Sequence, residues 1–284
     1  MNAISSRQAN TPRGSGWKIV ITCLSLGFAS LTLAQAQVVF TDDFNRADGA
    51  VGNGWTVTSL GNVSSGGGGT APTATIVSNQ LALARAGWGP DASIVLSHSS
   101  ASFASATTSI TLPTVTGGTA AGAYSSALRV SNSVTGAFIR VELFELNTSN
   151  QFAIRIASSA DSSWPGWTKY YPTTGTITNP GTLSVNITTI DSAGVFTVSI
   201  LNSDNTSLLN WSSTNTGLAG STLDTVSLLA NWTAWTSPTG ATPTFDAITL
   251  SSIPEPSSVA LVGLGSFGWI VTACARTRMG RHHS

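Results

Sequence analysis

The sequence predicts an all-β fold: an antiparallel two-sheet sandwich, with a signal peptide before it and an apolar helix after it. Three observations carry that reading. Between residue 37 and about residue 252, apolar and polar residues alternate in short runs with the period of two that marks a half-buried strand. Gly, Asn, Asp, Ser and Pro punctuate those runs at regular spacing, and no helical period competes with them. Two apolar segments flanked by basic residues lie outside this region, one at each end.

The first of these defines residues 1–36. Arg7, Arg13 and Lys18 precede an apolar run over residues 19–33, and Ala34-Gln35-Ala36 closes it. A basic region, a short hydrophobic core and an Ala-x-Ala site make a secretory signal peptide, with the cut expected after Ala36. Cys23 lies inside this segment, where the preceding Val20-Ile21-Thr22 lacks the small residues of a lipoprotein site. The second cysteine, Cys274, lies in the C-terminal apolar run, so residues 37–252 hold neither a disulfide nor a thiolate metal site. A body of this length buries enough core without such staples.

Charge separates the body from its ends. The whole chain is formally neutral, but half of its basic residues sit in the two targeting segments. The body keeps Arg46, Arg85, Arg129, Arg140, Arg155 and Lys169 against eleven acidic side chains, a formal net charge of −5. Nucleic-acid binding needs clustered Lys and Arg and is disfavoured.

Along the body, residues 38–44 read as the first strand and Asn45-Arg46-Ala47-Asp48-Gly49 as a turn. A second strand is expected at 55–59, and the four glycines within 64–70 mark a surface loop. Short strands follow at 74–77, 81–85, 92–96 and 107–112. Two hairpins are stronger. The first pairs 138–146 with 151–157 around Asn147-Thr148-Ser149-Asn150, which sets Leu143 opposite Ile154 and Val141 opposite Ile156. Phe138, Arg140, Glu142, Phe144 and Arg155 then share the other face, with Glu142 opposite Arg155. The second pairs 183–190 with 195–202 around Asp191-Ser192-Ala193-Gly194, with Ile187 facing Val198 and Val185 facing Ile200. Strands at 207–211, 225–232 and 244–250 complete the set, and two such layers bury their alternating faces against each other.

The chain then turns to Ile253-Pro254-Glu255-Pro256-Ser257-Ser258, an apolar run over residues 259–275, and Arg276, Arg278 and Arg281. The prolines stop any arriving strand. A run of about 17 residues sits at the lower limit for one bilayer span, and the arginines behind it stay on the cytoplasmic side. Glycines 263, 265 and 268 suit close helix packing.

Pro254-Glu255-Pro256-Ser257-Ser258, the Ala260-Leu261-Val262-Gly263-Leu264-Gly265 run and the trailing arginines resemble the PEP-CTERM sorting tail of exopolysaccharide-making Gram-negative bacteria. The resemblance implies recognition by exosortase, a membrane transpeptidase-like enzyme, and cutting near Pro254-Glu255-Pro256, so the sorting tail is expected over 253–284. It covers about 30 residues and informs sorting, not activity. The arginines are spread more widely than the tight cluster of that family. In the body, Phe40-Thr41-Asp42-Asp43-Phe44-Asn45-Arg46 and Phe245-Asp246-Ala247-Ile248-Thr249-Leu250 resemble the first and last strands of concanavalin A-like, laminin-G-like jelly rolls, which lie side by side. That implies a jelly-roll sandwich and, for part of the superfamily, glycan or calcium binding.

Candidate chemistry follows from these placements. A retaining glycosidase sets two carboxylates about 5 Å apart on one face. Glu142 and Glu145 are three apart on one strand and point to opposite faces. His98, in Ser97-His98-Ser99-Ser100, is the one histidine of the body and reads as solvated loop surface, with no Gly-x-Ser-x-Gly elbow to serve. Asp42, Asp43, Asp48 and Asp246 would offer oxygens to Ca2+ if the terminal strands meet; otherwise they cap turns. Trp164, Trp167, Tyr170 and Tyr171 form a loop dense in aromatic rings, and Trp232 and Trp235 sit in a second irregular stretch. Such rings either stack on sugars or cover the ends of the core.

The expected protein is a non-catalytic exported component of the cell surface or extracellular matrix. Its expected partners are an exosortase-like enzyme, the membrane through its C-terminal span before processing, and extracellular polysaccharide. A carbohydrate-binding, lectin-like module using the 164–171 loop is the alternative, and a glycoside-acting enzyme the second.

Overall fold

The alternation is realised strand by strand. The computed structural model describes residues 36–61, 71–85, 92–114, 124–146, 151–159, 168–171, 176–178, 181–188, 192–232 and 242–252. The expected signal peptide, the sorting tail, Trp164, Trp167 and Trp235 lie outside them. In chain order the strands are β1 (Val38–Asp42), β2 (Gly49–Ala50), β3 (Thr56–Gly61), β4 (Thr73–Val77), β5 (Gln80–Ala84) and β6 (Ala92–Phe103). Then come β7 (Ser105–Thr111), β8 (Tyr124–Ser131), β9 (Phe138–Glu145), β10 (Gln151–Ser159), β11 (Thr168–Tyr171) and β12 (Thr176–Thr178). The last are β13 (Thr182–Thr188), β14 (Val195–Leu201), β15 (Ser207–Thr214), β16 (Leu223–Trp232) and β17 (Thr244–Ser251), with one 3-10 turn at Thr216–Leu218.

They form two antiparallel sheets. The first has the order β15-β14-β13-β7-β17-β5-β4-β2, with β1 also on β17, and the second β11-β10-β9-β8-β16-β6-β3, with β12 also on β10. Between them lies one core, in which Phe44, Phe152, Phe196, Phe245, Tyr124 and Trp232 are the largest fully buried side chains. Rings lock across the layers: Tyr171 of the second sheet packs edge-on against Phe196 and Trp211 of the first, at 5.6 and 5.1 Å.

Both hairpin registers stand as the alternation dictates. Leu143 faces Ile154 and Val141 faces Ile156, and Ile187 faces Val198 and Val185 faces Ile200. The β4–β5 hairpin turns on Ser78 and Asn79, both at positive φ, the twist that a two-residue loop between right-handed strands demands. Asp48 accepts a 2.9 Å hydrogen bond from the Ser78 amide there. The terminal strands do meet: β1 runs antiparallel along β17, Thr41 opposite Thr249 and Asp42 opposite Ile248.

Three local expectations are corrected, and one strand is added. Residues 168–171 are a strand on β10, not a stretch of loop. Trp232 ends β16, as the strand expected at 225–232 has it, and is buried, so it does not belong to an irregular stretch. His98 lies within β6, which runs on to Phe103. Tyr124–Ser131 is a strand that alternation does not announce: it is central, and its small outward residues Ser125, Ala127 and Ser131 are buried among their neighbours, so the polar-out signature is lost.

Candidate functional site

Period two sends Tyr124, Leu128, Val130, Ile139, Val141 and Leu143 inward, so the residues between them form the outer face of the second sheet. On its middle strands that face gathers charge. Arg129 of β8 stands directly opposite Arg140 of β9, and Glu142 of β9 opposite Arg155 of β10. The small, buried Ala127 and Ser227 stand opposite Glu142 and Arg129 at the centre of this face.

Glu142 is 3% exposed. Its Oε2 accepts from Arg155 Nε at 2.9 Å and Nη2 at 2.6 Å, and Arg140 Nη2 stands 3.5 Å from the same oxygen. This opposition follows from the register, but the carboxylate is buried, which makes the pair more than a weak surface contact. Aromatic rings frame the arginines. The Arg129 guanidinium lies 4.5 Å from the Phe138 ring centre. Arg155 lies 5.2 Å from both Phe144 and Tyr170, within cation–π range. Burial, and then the adjacent Arg140, hold the Arg129 pKa below the usual guanidinium value. No carboxylate pairs with Arg129 among the described residues.

The expected aromatic patch is divided by the strand. Tyr170 is 54% exposed and opposes Ala157, so it belongs to the outer face beside Arg155. Tyr171 points inward, as a neighbour on a strand must, and its hydroxyl meets Ser158 Oγ at 3.1 Å. Glu145 shares the inward side with Leu143 and is fully buried, so it does not face Glu142 across a cleft. Arg129 is the site residue that sequence reasoning misses, because its strand gives no clear period; the alternation Ala127, Arg129, Ser131 is the signal that places it.

The aspartates do other work. Asp42, at the end of β1, accepts from Arg46 Nη1 at 2.8 Å and Nη2 at 3.0 Å, from Trp55 Nε1 at 2.8 Å, and from the Phe44 amide at 2.9 Å. Burial pushes its pKa up, but hydrogen bonds from Arg46, Asn53, Phe44 and Trp55 outweigh that and bring it down to about 2. Asp43 caps the Asn45 amide at 3.0 Å, and Asp246 is exposed on β17. No group of three or more His, Cys, Asp or Glu among the described residues is placed to hold a metal. These residues do not fit a calcium site: Arg46 and Trp55 already occupy both oxygens of Asp42. Above this corner His98 is not solvated surface. It stacks on Phe40 at 3.8 Å between centroids and packs against Trp55 at 5.4 Å.

The PEP-CTERM protein-sorting motif family matches residues 252–278. No curated protein sequence matches the chain. Among solved structures, the CBM2 module of the Lactobacillus casei BL23 phage J-1 evolved Dit is similar at TM-score 0.51 and 11% identity, over 78% of this chain and 97% of that one. A glycosyl hydrolase family protein from Mycobacterium fortuitum is similar at TM-score 0.50 and 12% identity, over 75% and 99%. At these identities the likeness is one of fold. PEP-CTERM proteins are exported and sorted to the cell surface, and the motif implies processing by an exosortase. The chain carries a PEP-CTERM sorting motif over residues 252–278, behind an antiparallel β-sandwich body whose fold is similar to those of the CBM2 module and the glycosyl hydrolase family protein.

Proposed function

We propose that this is a non-catalytic protein of the cell surface or extracellular matrix, sorted through Pro254, Glu255 and Pro256, whose body presents a recognition face and not an active site. The observation that carries this reading is the setting of Glu142. Two-carboxylate glycoside hydrolysis needs partners about 5 Å apart for retention, or about 6.5–9.5 Å apart for inversion. On the outer face of the second sheet, Glu142 is the carboxylate that the arginines of β9 and β10 hold, through Arg155 and Arg140, and no second carboxylate is paired with it there among the described residues. The purified full chain in mild detergent should release no reducing sugar from a panel of β-glucans, xylans and uronans. Hydrolysis by the wild type that disappears in Glu142→Gln would overturn the reading. In cells, replacing Pro254, Glu255 and Pro256 with alanine should leave the protein at precursor size in the membrane; unchanged processing would refute the sorting route.

A second reading is a lectin-like module. It is favoured by the gathering of Phe138, Phe144 and the exposed Tyr170 on the face that also holds the arginines. Aromatic rings beside charged hydrogen-bond donors suit sugars, which have apolar faces and polar edges.

A further inference from the structure

We propose that Arg129 and Arg140 form an anion-binding subsite on the outer face of the second sheet, which takes the carboxylates of an acidic, uronate-bearing polysaccharide. This rests on the lectin-like reading and names its ligand.

Like charges placed directly opposite across a strand pair destabilise a sheet. Arg129 and Arg140 are so placed, on neighbouring strands in the middle of the second sheet. The charge near them does not balance. Glu142 is the one ion-pair partner of Arg140 and Arg155 among the described residues while Arg129 has none, and Arg155 takes its Oε2 through two N–H groups. Arg140 reaches the same oxygen only at 3.5 Å. The face therefore keeps a positive excess, although the body as a whole carries a formal −5.

Arg129 is also held without spending its donors. The Nε atoms of Arg129 and Arg140 are buried and have no hydrogen-bond partner. Arg129 is positioned by its ring contact with Phe138. With Nε turned inward, the Arg129 guanidinium keeps its two Nη groups for a carboxylate, whose two oxygens match that Nη fork. A bound anion would remove the repulsion between the pair and satisfy the fork in one step.

The surroundings choose the occupant. Tyr170, more than half exposed, and Phe144 flank Arg155 and offer ring faces to a pyranose. The arginines lie inside the sheet, with β10 and β11 on one side and β16, β6 and β3 on the other. A linear polymer lying across the strands reaches such a position, whereas lipid headgroups favour clusters of Lys and Arg that protrude toward the bilayer.

The test uses the full chain in detergent micelles with two polymers of one backbone, polygalacturonate and its fully methyl-esterified form. Binding to the acid form at low salt should be about tenfold or more tighter than to the ester, the scale of one charge-assisted hydrogen bond. It should weaken as salt rises. Arg129→Gln and Arg140→Gln should each lose about tenfold or more toward the acid form alone. Arg129→Lys should restore some of it as a point charge without a fork. Arg129→Gln relieves repulsion and should melt no lower than the wild type, which separates lost binding from lost folding. Tyr170→Ala, at an exposed position, should weaken both polymers alike.

Equal binding to the two polymers would overturn the inference, as would acid-form binding unchanged in both arginine variants. Binding to phosphatidylglycerol vesicles without binding to polygalacturonate would replace it with a lipid site. No binding at all would sink it while leaving the sorted, non-catalytic reading intact, because that one is decided by processing and by the absence of hydrolysis.

Discussion

Lowering the pH should loosen the corner where β1 leaves the first sheet, and Asp42→Asn should remove that share of the acid response. Asp42 collects four donors: both ends of the Arg46 guanidinium, the Trp55 indole and the Phe44 amide. All favour the ionised form, and the folded pKa lies at about 2 against an ordinary aspartate value of 3.8. A depressed carboxylate pKa contributes stability that is complete above the unfolded value and is lost as pH falls through the folded value. The window is therefore about pH 4 down to 2. At about 1.4 kcal/mol per pKa unit the shift corresponds to about 2 kcal/mol. Arg46 is 29% exposed, and solvent screening at its side of the pair reduces this to about 1–2 kcal/mol. At pH 7, Asp42→Asn also turns an amide N–H2 toward donors, so the variant should be less stable by about 2–3 kcal/mol. In a body of this size that lowers Tm by about 4–10 °C. Urea unfolding at fixed ionic strength, in steps from pH 7 to pH 2.5, should show the gap between wild type and variant shrinking below pH 4. A gap that stays constant across the range, or a variant as stable as wild type at pH 7, would refute the argument.

Three further outcomes are expected. Glu142→Gln strips Arg140 and Arg155 of their shared countercharge; with Arg155 41% exposed and able to rehydrate, the loss should be about 2 kcal/mol in unfolding free energy and smaller at high salt. Gly194→Ala puts a side chain at φ +80° and drives its Cβ into the Asn215 carbonyl, so thermal unfolding should show a loss of about 2–4 kcal/mol. Burial lowers the His98 pKa against the weaker pull of Asp42, so the stability tied to neutral His98 is complete above pH 6.5 and declines as pH falls below it. His98→Phe, which keeps the stack on Phe40 and removes a buried Nδ1 without a partner, should flatten the fall in unfolding free energy as pH drops below 6.5.

The sequence announces those regions of the fold whose two faces differ. In β9–β10 and β13–β14 one face is core and the other polar, and only one register matches the apolar sets, so Leu143 and Val185 find their partners from pattern alone. Tyr124–Ser131 breaks that logic because its small outward residues are buried too, and Arg129 is hidden with it. The run Thr168-Lys169-Tyr170-Tyr171 looks like one exposed aromatic loop because composition does not record that adjacent strand residues point apart. His98 hides among serines, since what buries it is Phe40 and Trp55, distant in sequence. Asp42 looks like a metal ligand for the same reason: nothing local shows that the Trp55 indole will reach it.

The pairing of the chain's two terminal strands also fixes how the body bears load. β17 is an interior strand, flanked by β7 on one side and by β1 and β5 on the other, and it leads directly into the sorting segment. A pull entering at residue 253 runs along the axis of β17 and shears its ladder bonds together, so that they must fail in concert. A pull between residue 37 and residue 252 is different. Those ends lie side by side, with the Ser252 amide bonded to the Gln37 carbonyl at 2.8 Å, and the same strands would unzip sequentially, each bond breaking alone. The ladder around β17 thus resists a load applied along that strand and yields when the two ends of the body are drawn apart.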